Sequence, residues 1–135
     1  MKKEKSCGCI AFNAKNEVLL VRMLHGHWSF PKGHVEPKES EMQTAIRETL
    51  EETNITVKLD KGFREVSTYS PAEGVMKDVI FFVGKAEGEE IKIQESELRT
   101  AEFMNPKKAE AYITYENDRE IFRKAWIYWE KKHKV

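Results

Sequence analysis

The chain has 135 residues, a length that suits one compact domain spanning 1–135 around one core. Hydrophobic residues make up 40% and charged residues 34%, a globular profile, and 23 basic residues cancel 23 acidic ones, so overall charge selects neither a nucleic-acid nor a membrane partner. No apolar run approaches membrane-spanning length, and the opening MKKEKSCGCIAF is basic without a signal peptide's apolar stretch, so a cytoplasmic location is expected.

In chain order, CGCIAFNA (7–14) reads as a strand. Its alternation puts Cys7 and Cys9 on one face. Two thiols at this spacing, with no other cysteine in the chain, make a poor metal site, so reduced thiols packed in the strand are expected. NAKNE (13–17) is a turn and EVLLVRML (17–24) a second strand, which together predict a hairpin. HGHWSFPKGHVEPKE (25–39) is a loop, long for a plain connection. A helix follows, with Ser40 and Gln43 in the capping-box pattern. Met42, Ala45, Ile46, Thr49 and Thr53 gather on one side, with Leu50 at the edge; Glu48, Glu51 and Glu52 gather on the other. The helix ends at Asn54, and Asn is second only to Gly in accepting the left-handed conformation that stops a helix. Residues 55–68 and 76–85 read as strands and 97–104 as a shorter one. Residues 105–113 suit a short helix with Pro106 at its first position, and 117–134 a helix whose apolar face is Ile121, Phe122, Ala125, Trp126 and Trp129. The order β-β-α-β-β-β-α-α predicts an α/β (α+β) architecture, a mixed sheet with helices packed against it.

The acidic helix face has two readings. Like charges at i, i+3 and i+4 weaken a helix by ~0.2–0.5 kcal/mol per pair, which a solvated surface tolerates. Converging carboxylates also bind hard cations such as Mg²⁺ or Mn²⁺, whose charge would cancel the repulsion. The upstream spacing favours the second reading: Gly33, five residues, Glu39, seven residues, Arg47-Glu48, two residues, Glu51-Glu52, one residue, Asn54, Ile55. This resembles the Nudix box, Gly-x5-Glu-x7-Arg-Glu-U-x-Glu-Glu-x-Gly-U, with U a bulky apolar residue. Residues 33–55 match every Gly, Glu and Arg of it except the last Gly, where Asn54 stands, and Thr49 is a less apolar U.

The resemblance implies a Nudix hydrolase. Such a protein has a mixed sheet sandwiched between helices, with the box as loop–helix–loop, and uses Mg²⁺ or Mn²⁺ to cleave a nucleoside diphosphate linked to another moiety. Carried onto this chain, it makes Glu48, Glu51 and Glu52 metal ligands, joined by the carbonyl of Lys32. Glu39 and Arg47 become structural. The base that deprotonates water is the glutamate matching Glu48 in some relatives and lies outside the box in others. Glu97, six residues before Phe103, is the candidate here for base and further ligand, with Glu95 its rival.

The flanks narrow the resemblance. WSFPKGHVEPKE (28–39) is similar to the Trp-x-x-Pro-Lys-Gly-His-Val-Glu-x-Gly-Glu run of diadenosine tetraphosphate hydrolases, with Lys38 in place of Gly. YITYENDREIFRKA (112–125) resembles the end of the same subfamily. This implies asymmetric cleavage of diadenosine tetraphosphate to ATP and AMP, with a small-molecule nucleotide as partner and no membrane or stable nucleic-acid partner. Lys32 and Lys77 are then phosphate contacts or solvated lysines; Phe81 and Tyr115 stack on a base or fill the core. His25, His27 and His34 are not expected to bind metal, because the glutamates already supply an oxygen site; His34 is left to a phosphate contact or to holding its loop. Two other functions compete: hydrolysis of 5′-triphosphorylated RNA or damaged nucleoside triphosphates, and nucleotide sensing without catalysis. The three box carboxylates argue against the last.

Overall fold

The computed structural model describes residues 1–88 and 90–135. Strand β1 (Lys2–Phe12) runs through the middle of a seven-stranded mixed sheet, and its alternating side chains feed two cores. Cys7, Cys9 and Ala11 enter one; Ile10 and Phe12 enter the other. Both cysteines are free and buried. Strand β6 (Val75–Glu87) lies parallel to β1 from Lys2↔Val75 to Phe12↔Lys85. It divides its side chains the same way, Ile80 and Phe82 against Val79, Phe81 and Val83. Strand β5 (Thr56–Ala72) closes this edge, antiparallel to β6.

The predicted hairpin holds only at its tip. β1 and β2 (Val18–Met23) pair at Phe12↔Val18 alone. The turn itself forms as read: Asn13 Oδ1 accepts the N–H groups of Lys15 and Glu17 at 3.0 and 2.9 Å, and Asn16 sits at φ 62. Beyond it the strands diverge. The backbone groups that β2 leaves free on β1 are taken by β4 (Lys32–His34), through Ser6↔His34, Cys7↔Gly33 and Gly8↔Lys32. β2 pairs instead with β3 (Trp28–Ser29) and β7 (Leu98–Met104). The stretch 25–39, read as loop, therefore contributes two short strands, and β4 brings it against the box helix.

Helix α1 (Glu41–Thr53) covers the Cys7–Cys9 face. Its capping box is complete: Ser40 Oγ accepts from Gln43 N–H at 3.1 Å, and Gln43 Oε1 accepts from Ser40 N–H at 2.8 Å. Thr49 and Thr53 are buried because their hydroxyls donate to the carbonyls of Ala45 and Thr49, at 2.8 and 2.6 Å. That accounts for a threonine where the box asks for an apolar side chain. Helices α2 (Pro106–Tyr112) and α3 (Glu116–His133) lie across the other face. Ile121, Phe122, Ala125 and Trp129 pack there, with the Phe12 and Trp129 ring centroids 4.6 Å apart. The result is a sheet between helices, as expected.

Phe81 corrects one expectation. It is fully buried, edge-on to Phe30 with centroids 5.5 Å apart, and has no ring face free for a base. Alternation along β6 sends it inward with Val79 and Val83.

Candidate active site

The site forms where β4 crosses the acidic face of α1. Seen as an isolated helix, that face points to solvent. In the fold Glu52 is only 5% exposed and its Oε1 has no hydrogen-bond partner among the described residues. Burial pushes its carboxyl up to about 8, with the charge of Glu48 adding and that of Lys32 opposing. Glu48 lies one turn earlier and is also raised, first by burial and then by the charges of Glu51 and Glu97, against Arg47. Gly33 explains how the Glu48 carboxylate fits so close to β4: a methyl group on Gly33 would overlap that carboxylate.

Arg47 ties the box together. Its guanidinium donates to both oxygens of Glu39 at 2.7 and 2.9 Å, to Glu48 at 3.1 Å, to Glu51 at 3.2 Å and to the His34 carbonyl at 3.1 Å. Glu39 also accepts from the Thr44 hydroxyl at 2.6 Å. Together these hold its carboxyl down at about 2. A depressed carboxyl stabilises the fold above its unfolded value and loses that contribution as pH falls through the folded one. Acid unfolding should therefore draw on Glu39 as pH falls from about 4.5 to about 2. Glu39→Gln should lower stability at pH 7 and flatten this part of the stability–pH curve, as urea melts at stepped pH would read out.

The chemistry of the donors fits a hard divalent cation. A buried carboxylate with an orphan oxygen stands beside a second carboxylate, and the backbone of Lys32 and Gly33 passes close to both. Among the described residues no three Asp, Glu, His or Cys side chains yet converge on one point. Arg47 holds one oxygen of Glu48 and one of Glu51.

The segment that carries Glu97 is tied to the end of α1 through the backbone. The carbonyls of Glu52 and Thr53, left over at the end of α1, accept the N–H groups of Gln94 and Lys92 at 2.9 and 3.0 Å. A tight turn then closes with Glu97 N–H on the Gln94 carbonyl at 2.9 Å. The charge of Glu97 is among those raising both Glu48 and Glu52.

A cleft of about 520 Å³ has Lys32 in its wall, and no glutamate of the box lines it. Its other walls include His27, Ser67, Tyr69, Tyr115 and Asp118. The rings of His27 and Tyr115 lie 5.4 Å apart, and Tyr115 is 54% exposed. Burial and the charge of Lys32 lower both His27 and Lys77, so the two lysines share one neighbourhood. Lys77 pairs with Tyr69 across the β5–β6 ladder. The sequence reading missed Tyr69, His27 and Asp118 as cleft residues. Alternation puts Ser67 and Tyr69 on one face of β5, but only the pairing to β6 shows which face that is. His25 does not line this cleft.

Residues 2–125 match the family model described as NUDIX domain. The chain belongs to the Nudix family. This Nudix hydrolase is 36% identical over 104 residues to the asymmetrical bis(5′-nucleosyl)-tetraphosphatase of Sus scrofa, covering 67% of this chain and 70% of that protein. To the Mus musculus protein of the same name it is 35% identical over 111 residues, 72% of this chain and 75% of the other. In three dimensions it is similar to the crystal structure of a C. elegans Ap4A hydrolase binary complex, with TM-score 0.85, 28% identity, and coverage of 95% of this chain and 98% of that one. The chain is thus a Nudix hydrolase closely related to asymmetrical Ap4A hydrolases, which favours neither the RNA nor the damaged-nucleotide alternative. Nudix hydrolases generally need a divalent metal ion. No described helix is long and apolar enough to cross a membrane.

Proposed function

We propose that this Nudix hydrolase cleaves diadenosine tetraphosphate asymmetrically to ATP and AMP, with Mg²⁺ or Mn²⁺ as the ion. One observation supports the reading above the rest: Lys32, whose charge acts on the buried Glu52, also lines a cleft walled by His27, Tyr69 and Tyr115. The names of the relatives point to the same substrate. A bound divalent cation would neutralise polyphosphate oxygens, lower the pKa of water and stabilise the leaving phosphate. Glu48, Glu51, Glu52 and the Lys32 carbonyl would hold it, with Glu97 beside them. Lys32 and Lys77 face the remaining phosphate charge. Tyr115, with Tyr69 or His27, offers the ring surface for a base. Glu97 accepts a proton as water oxygen attacks phosphorus in line; the new P–O bond forms as the anhydride P–O bond breaks. A reducing, cytoplasmic setting suits the buried thiols of Cys7 and Cys9.

A substrate panel tests this. The protein is incubated with Mg²⁺ and, separately, diadenosine tetraphosphate, nucleoside triphosphates, ADP-ribose and 5′-triphosphorylated RNA. Fastest turnover of the dinucleotide, giving equimolar ATP and AMP, is expected. Preference for RNA or a simple triphosphate would overturn the substrate assignment.

A further inference from the structure

Asn54 departs from the box, and its side chain does something glycine cannot. Its backbone is left-handed, at φ 66 and ψ 12, and its N–H donates to the Leu50 carbonyl at 2.8 Å, so it ends α1 as a box glycine would. In addition its Nδ2 donates to the Glu90 carbonyl at 3.0 Å. This bond is the first of three. Asn54 to Glu90, Thr53 to Lys92 and Glu52 to Gln94 are joined in order, a short zipper between the end of the box helix and the segment leading to β7. The two inner bonds use helix carbonyls that any sequence would present. The outer one depends on the amide of Asn54. Immediately past the zipper comes the turn that carries Glu97.

We infer that Asn54 is a positioning residue: its side-chain amide anchors the 90–94 segment on the box helix and so sets Glu97 against Glu48 and Glu52. The inference rests on the reading of Glu97 as the base. Glycine at this position keeps the helix end and removes only the anchor, which makes the test clean. Asn54→Gly should hold the melting temperature within about 4 °C of wild type, because the freer left-handed backbone offsets the lost bond. Amide hydrogen exchange at Lys92 and Gln94 should accelerate by about fivefold or more, the effect of one ordinary hydrogen bond. In the diadenosine tetraphosphate assay kcat should fall by about the same factor with KM unchanged, since phosphate and base contacts are untouched. Glu97→Gln is run in parallel. A fully active Asn54→Gly beside an impaired Glu97→Gln would overturn the anchor alone, as would unchanged exchange at Lys92 and Gln94. A Glu97→Gln enzyme with wild-type turnover would remove the base assignment and the inference with it.

Discussion

Glu52→Gln is expected to lower kcat on diadenosine tetraphosphate by about a thousandfold while the protein stays folded. Glutamine has the same shape and loses only the charge. That charge sits 95% out of solvent by its 5% exposure, and one of its oxygens finds no partner among the described residues. A buried, unpartnered carboxylate is costly unless something cationic is meant to meet it. The stability of the metal-free protein supplies a second readout with a definite sign. The carboxyl is raised from 4.5 to about 8 in the fold, so the native state keeps a proton that the unfolded chain has released, and stability falls as pH rises through that window. Glu52→Gln should remove this fall, leaving the variant the more stable of the two at pH 9 and equal at pH 4. Magnesium should raise the melting temperature of the wild type and leave the variant where it was. Thermal melts with and without Mg²⁺ at both pH values, together with turnover, check all of this; near-normal kcat in the variant would show the site to be wrongly assigned.

Gly33→Ala is expected to separate catalysis from stability in a different way. The added methyl would overlap the Glu48 carboxylate, the far end of a flexible side chain, so the fold can absorb the change by swinging Glu48 aside. The melting temperature should move little, while kcat falls about a hundredfold or more because one of the glutamates has left its place. Gly8 makes the contrast. A methyl there would meet the Pro31 carbonyl and the β4 backbone, which cannot turn away, so Gly8 serves the fold rather than the site. If Gly33→Ala retains full activity, Glu48 does not act from the position seen here. If it unfolds, Gly33 is needed for packing beyond that one side chain.

Much of the helix that carries the box could be read from the chain because its determinants are local. A capping box is a contact between residues three apart, and Ser40 with Gln43 forms it. A left-handed stop depends on one residue's steric freedom, and Asn54 adopts it. Strand alternation is equally local, and it placed Cys7 and Cys9 on one face. The spacing of the box residues is a property of the chain, and the family match agrees with it. Aromatic residues along strands were harder to read. Phe81 and Tyr69 are both plausible platforms for a base in one dimension, yet one fills the core and the other lines the cleft.

By itself, then, the sequence determined the longer elements, the ends of the box helix and the order of its acidic residues, because each follows from backbone geometry within a few residues; the short strands β3 and β4 it left as loop. Tertiary structure decided the rest. It replaced the β1–β2 hairpin with β4 and β7 pairings, since edge backbone groups take whichever strand the fold brings beside them. It laid β4 over the acidic face and so turned Glu52 from a surface residue into a buried one. It tied the segment that carries Glu95 and Glu97 to the end of α1 through hydrogen bonds between residues some forty positions apart, at 52 to 94 and 53 to 92. A buried charge, a cleft and a register depend on which distant segments meet, and no local pattern encodes that meeting.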